Sequence, residues 1–237
     1  MSIIVEAASI MTDSTAARQS AASGIAAGAR VVLPIAVAVA AFGASFGILA
    51  RDAGMGVAAP IVMSFTTFAG SAQFAVASVL DDGGALAAAI AAAILLNLRY
   101  LAIGVSVAPS LRGSKLRRLA EAQLAVDESW AIAQRDGRVD RDRLIGAGGM
   151  LMVFWCLGTI GGVLGGSALG DPEDYGLDAM FPALFLALLA GQLTSDRARV
   201  AACAGALIAL ALTPLAPPGV PIVVAAAGAV LALAVKR

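Results

Sequence analysis

The sequence predicts an all-α integral membrane protein of about seven transmembrane helices, one of them interrupted or re-entrant. Three observations carry that expectation. Hydrophobic residues make up 60% of the chain and charged residues 14%, with mean hydropathy +0.90, whereas soluble domains hold about 45–50% apolar and about 25% charged residues. The charges are also segregated, leaving long windows with none, which a bilayer requires and a globular core does not. One such window, residues 56–80, is long enough to cross a bilayer yet polar at its middle.

Residues 1–29 are rich in Ala, Ser and Thr with scattered Glu6, Asp13 and Arg18. They lack the basic and apolar regions of a signal peptide and read as a mobile or interfacial tail ahead of a single transmembrane bundle, 30–237. The first clear span is 31–50. Pro34 falls near its start, where a proline costs no helical hydrogen bond, and Gly43 and Gly47 are spaced for close approach of a neighbouring helix.

The interrupted stretch follows. Ser64, Thr66, Thr67, Ser71 and Gln73 place hydroxyls and an amide where hydrocarbon penalises them, and Gly70 removes the side chain that would stiffen a helix there. Three readings stand: a solute site built from a broken helix, polar packing between helices, or an ordinary kink. After an acidic turn at 81–84, the span 85–109 carries Asn97 and Arg99 deep within it.

The segment 112–143 is the only long polar one. It holds eight of the sixteen Lys and Arg residues and is expected on the cytoplasmic side. Within it, 116–134 reads as one amphipathic helix with Leu116, Leu119, Val126 and Trp130 on an apolar arc and Arg117, Arg118, Glu121, Glu128 and Arg135 opposite. Asp127 falls on the apolar arc, which singles it out over its neighbour, since a buried carboxylate needs a partner or a shifted pKa.

The span 144–169 is Gly-rich, with Gly158, Gly162 and Gly166 repeating every fourth residue as a close-packing face. The acidic loop 170–178 belongs outside, 180–193 is a short apolar segment, and 200–212 and 220–235 are further spans. The N-terminus lies outside if 56–80 crosses fully and inside if it is re-entrant. A faint echo between residues 68–74 and 189–193 suggests two three-span units of opposite orientation.

Several function classes are excluded. The net charge is zero and no basic block interleaves with aromatics, so nothing points to nucleic acid. Histidine is absent, which removes His-based catalysis, His metal ligands and the commonest proton relay. Cys156 and Cys203 sit in apolar runs and suggest neither disulfide nor metal. No hydrolase, P-loop or metalloprotease motif occurs, so no enzyme activity, cofactor or metal is expected. Arg99 is the most costly residue, about 2.5–3.5 kcal/mol at mid-span on insertion scales, so either a structural partner or an anionic solute must offset it.

The Phe68-Ala69-Gly70-Ser71-Ala72-Gln73 core, Asn97-Leu98-Arg99-Tyr100 leading to Val107-Ala108-Pro109-Ser110-Leu111, and Asp127-Glu128-Ser129-Trp130-Ala131 occur in an order that resembles the AzlC-type branched-chain amino acid exporters. The likeness extends through Leu177-Asp178 and Phe181-Pro182-Ala183-Leu184-Phe185, covering roughly residues 30 to 195. It implies the large subunit of a bacterial inner-membrane permease exporting leucine, isoleucine, valine and, as a further candidate, methionine. The resemblance also implies a small AzlD-type partner subunit and proton coupling. The chain departs at Tyr100, where the family's motif usually has histidine, which shifts the expected coupling to Asp127, Asp178 or the partner.

Carried onto these positions, the solute's carboxylate would meet the half-helix start at Gly70 and Ser71, or Arg99, and its ammonium Asp127 or freed carbonyls. The substrate-binding candidates are therefore Gly70, Ser71, Gln73, Phe68, Phe74, Asn97 and Arg99, and the coupling or gating candidates Asp127, Glu128 and Asp178. A channel for small polar solutes and a purely structural membrane subunit are the competing readings.

Overall fold

The computed structural model of the chain describes residues 2–135, 138–166, 186, 189–190, 193–216 and 220–225. Its helices are α1 (Ser2–Asp52), α2 (Ala58–Thr66), α3 (Gly70–Asp81), α4 (Leu86–Asn97), α5 (Arg99–Val107), α6 (Lys115–Ala122), α7 (Asp127–Ala133), α8 (Arg141–Gly165), α9 (Asp196–Leu212) and α10 (Val220–Ala225). One small hairpin departs from the all-α expectation: β1 (Gln134–Arg135) pairs antiparallel with β2 (Arg138–Val139). Among the described residues, Ala21–Asp52 of α1 and the whole of α8 are long and apolar enough to cross a membrane. Leu86–Asn97 and Arg99–Ser110 together, bent by 41°, make up to a third span.

Over residues 2–29, read from the sequence as a mobile or interfacial tail, the backbone is helical from Ser2 and continuous with the rest of α1. Small residues make this possible: a Cβ on Gly28 would collide with the backbone of Arg143, and one on Gly146 with the Ile25 carbonyl, so glycine is what lets these backbones meet. Because the helix starts so early, Pro34 lies in its interior rather than its first turn, where it removes a hydrogen bond.

The chain divides into two compact units, Met1–Val39 with Arg99–Trp155, and Ala40–Leu98 with Cys156–Arg237. In the first, Ile103, Val107, Ala133 and Leu144 form a core against which Tyr100, Leu111 and Trp130 pack. The single helix expected over 116–134 is two, α6 and α7, and the expected apolar arc is not the inward one on α6, where Arg117 and Arg118 are exposed as expected but the leucines are exposed with them. Leu116 and Leu119 are 77% and 68% exposed while Glu121 is buried. The reason is a partner distant in sequence: the Glu121 carboxylate accepts from Arg141 Nε at 2.8 Å and from Arg117 Nε at 2.9 Å.

Those bonds set a pH dependence. Hydrogen bonding from Arg141, then from Arg117, holds the Glu121 carboxyl below its ordinary range despite burial. A depressed carboxylate stabilises the fold above its unfolded value, about 4.3, and that contribution is lost as pH falls through the folded value. Glu121→Gln is therefore expected to lower stability by about 2 kcal/mol at pH 7. That deficit should shrink as the pH falls below about 4.3 and vanish once the Glu121 carboxyl of the folded protein is itself protonated. Thermal midpoints of the detergent-solubilised proteins across pH check this; an equal deficit at pH 7 and pH 3 would refute it.

In the second unit α3 and α4 pack around Val76, Val79 and Ala89, with Met55, Met63 and Leu80 against them. The last part of α1 lies along α8. A Cβ on Gly158 would strike the Ala40 carbonyl, one on Gly162 the Ala44 carbonyl, and one on Gly166 the Ile48 side chain. The partners advance together, so these two helices run parallel. An inverted repeat relating the two Gly-bearing spans would set them antiparallel. In the same unit a Cβ on Gly205 of α9 would lie 3.3 Å from the Ala225 carbonyl of α10. The acidic loop 170–178 and most of 180–193, including most of the proposed echo, lie outside the described residues.

Candidate functional site

The polar interruption read from the sequence is a break between α2 and α3. Thr67 ends α2 in a helical conformation, Phe68 takes φ 42°, and Ala69 is extended before α3 begins at Gly70. Phe68 is the one residue other than glycine with positive φ among the described residues. For a bulky L-residue that backbone costs on the order of 1–3 kcal/mol and persists only when its surroundings hold it. Its own burial, at 6% exposure, is one such hold.

A buried hydroxyl–amide network is the other. Gln73 Nε2 donates to Ser64 Oγ at 2.9 Å, Ser64 Oγ shares a 2.9 Å hydrogen bond with Thr159 Oγ1, and the Ala69 N–H donates to Gln73 Oε1 at 3.3 Å. Ser64, Thr159 and Gln73 are fully buried. Gln73 thus spans the break, holding α2 on one side and the extended residue on the other. Phe74 lies edge-on to Phe46 of α1, ring centroids 5.7 Å apart and planes at 78°, and Ser71 is buried beside it. Of the expected substrate-binding residues, Gly70, Ser71, Gln73, Phe68 and Phe74 are therefore gathered at one place in the second unit.

Asn97 also belongs to that unit, at the end of α4, where its buried Oδ1 has no hydrogen-bond partner among the described residues. Asp178 lies outside the described residues.

Arg99, Asp127 and Glu128 belong to the first unit. The offset that Arg99 requires is Asp127: Nη2 lies 3.0 Å from Oδ2, with both side chains 35% exposed. The guanidinium also lies over the Tyr100 ring, 5.1 Å from its centroid, and Nη2 reaches the phenol oxygen at 3.4 Å. Asp127 is aimed by local hydrogen bonds at the start of α7. The Val126 N–H donates to Ser129 Oγ at 2.9 Å and that hydroxyl donates to the Leu124 carbonyl at 2.7 Å, so the first-turn acids are fixed at the positive end of the helix. Trp130 Nε1 donates to Ser106 Oγ at 3.0 Å, tying α7 alongside α5.

Glu128, a coupling candidate ranked below Asp127 on helical periodicity, has a displaced carboxyl. Burial raises it above the ordinary carboxylate range, with the Asp127 charge adding and its backbone hydrogen bond and Arg99 opposing. The sequence reading missed Thr159 as well. Its signal was a hydroxyl one position after Gly158, beside the close-packing stripe, the sole Ser or Thr between residues 144 and 165.

Residues 34–169 match the family described as AzlC protein. The chain is 29% identical over 178 residues to the branched-chain amino acid transport protein AzlC of Bacillus subtilis, covering 73% of this chain and 69% of that one. It is 27% identical over 213 residues to the inner membrane protein YgaZ of Escherichia coli, covering 84% of each. An uncharacterized membrane protein of Archaeoglobus fulgidus is 33% identical over 195 residues, covering 81% of this chain and 86% of its own. No solved structure matches the chain. A family match over more than half the chain, relatives named as membrane and transport proteins, and long apolar helices in the fold lead to one conclusion: the chain belongs to the AzlC family of membrane transport proteins.

Proposed function

We propose that the chain is the large subunit of a two-component permease that exports leucine, isoleucine, valine and methionine across the bacterial inner membrane, with a small AzlD-type partner and the proton gradient as the driving force. The observation that carries this reading is a helix broken inside an apolar run, in a chain whose Bacillus subtilis relative is named for branched-chain amino acid transport. The first-turn N–H groups of α3 suit a carboxylate, and Phe68 and Phe74 would border the aliphatic part of the solute. Each buried methylene contributes about 0.8 kcal/mol, which ranks leucine over alanine but does not separate it from isoleucine.

Proton coupling is assigned to Glu128. A carboxyl raised by burial takes up a proton more readily than an exposed one, and the Arg99–Asp127 pair beside it supplies the charges that its titration would perturb. One observation favours polar packing alone: Ser64, Thr159 and Gln73 satisfy one another. Gly70→Leu separates the two readings, since lost transport in an intact complex supports a site and a lost complex supports packing.

Leucine counterflow in proteoliposomes, with and without the co-purified small partner, tests the proposal. Saturable uptake above empty liposomes is expected, and uptake equal to empty liposomes in both cases from folded protein would sink it. Glu128→Gln should keep counterflow within about twofold while losing at least about tenfold of the flux driven by a pH gradient. An unchanged response to the gradient would move the coupling elsewhere.

A further inference from the structure

We infer that residues 58–81 do not cross the membrane: α2 and α3 form a re-entrant hairpin entered from the face opposite the basic segment 112–143, and the N-terminal end of α1 lies on the same side as that segment. The inference stands whether or not the solute is an amino acid.

The tip shows the chain turning back. In a straight helix residues 64 and 73 would be about 13 Å apart along the axis, yet Gln73 Nε2 lies 2.9 Å from Ser64 Oγ. The base shows it too. Met55, before α2, packs on the cluster of Val76, Val79 and Ala89, where the end of α3 meets the start of α4, whereas a full crossing would leave them a bilayer apart. Lengths agree: α2 has 9 residues and α3 has 12, about 14 and 18 Å against a hydrocarbon core of about 30 Å.

Depth can be read four ways. Thr159 lies six positions before the end of α8, Phe46 six before the end of α1, Ser64 six after the start of α2 and Phe74 seven before the end of α3. Thr159 meets Ser64 and Phe46 meets Phe74. All four therefore sit about 9–11 Å from one end of this unit, and the break beyond them falls near the bilayer middle.

The parallel run of α1 and α8 gives an independent parity argument. If both cross in the same direction, the chain leaves α1 at one face and enters α8 at the other, so the two apolar segments between them make one net crossing. The segment Leu86–Ser110 has the length and hydropathy to be that crossing, which leaves 58–81 to return. Arg51 is the one basic residue in 51–85, against eight in 112–143, so the hairpin's base faces outward and α1 starts inside.

Single cysteines test this in the full chain with Cys156 and Cys203 replaced by alanine, expressed in right-side-out membrane vesicles and probed with a membrane-impermeant maleimide. Arg51→Cys and Asp82→Cys should both label without permeabilisation, and Ser114→Cys only after it. Asp52→Cys and Asp81→Cys serve if either hairpin variant fails to insert. Labelling of Arg51→Cys and Asp82→Cys from opposite faces overturns the hairpin; labelling of both only after permeabilisation, with Ser114→Cys reactive before it, overturns the sidedness.

Discussion

Gly162→Leu is expected to leave little or no folded protein, whereas Gly161→Leu, one position away on the same helix, should be tolerated. A side chain on Gly162 would enter the Ala44 carbonyl, a backbone group that cannot turn aside as a side chain can, while a Cβ on Gly161 meets nothing within 4 Å. Overpacking of a tight interface costs about 1–3 kcal/mol when neighbours can yield, and separating two packed helices also forfeits the dispersion contacts along the stripe. The variant should lose at least about 3 kcal/mol, a large share of the stability of an ordinary domain. Yield of monodisperse protein in detergent and the thermal midpoint measure it. Equal behaviour of the two variants would mean that the helices do not meet as described.

Gln73→Leu should cut transport sharply while the protein still folds. Leucine nearly matches glutamine in size, so the packing survives, but Ser64 loses a donor and the Ala69 N–H loses its acceptor. Ser64 keeps its bond to Thr159, but leaving the buried Ala69 N–H unsatisfied costs about 1–3 kcal/mol. That is comparable to the strain held at Phe68, so the break between α2 and α3 is expected to relax. Counterflow should fall by at least about tenfold. Adding Ser64→Ala to Gln73→Leu should lower stability by less than the sum of the two single changes, because both act on one network. Additive losses, or normal transport by the single variant, would show that Gln73 is ordinary core.

What the sequence could disclose follows from the range of the forces involved. A polar run inside an apolar window is a local signal, and the break at residues 67–69 was legible from Gly70 and the hydroxyls around it. So was the need for a counter-charge at Arg99, since burial of a guanidinium demands one wherever it comes from; Asp127 meets it. Helical periodicity failed on α6 because Glu121 is pulled inward by Arg141, twenty positions away, and no window of residues reports such a pairing. The same holds for Thr159, whose hydroxyl matters because of Ser64, 95 positions before it. Direction was the least legible property. Hydropathy marks how oily a segment is but not whether it returns, and the parallel run of α1 and α8 is visible only where their glycines meet.

That parallel run also sets an order of events during synthesis. Gly158 and Gly162 each lie 118 positions after the residues they meet, Ala40 and Ala44. At about 5–20 residues per second, roughly 6–24 s separate the emergence of the two partners from the ribosome. Throughout that interval the small-residue face of α1 is without its lasting neighbour, and lipid or the insertion machinery must cover it.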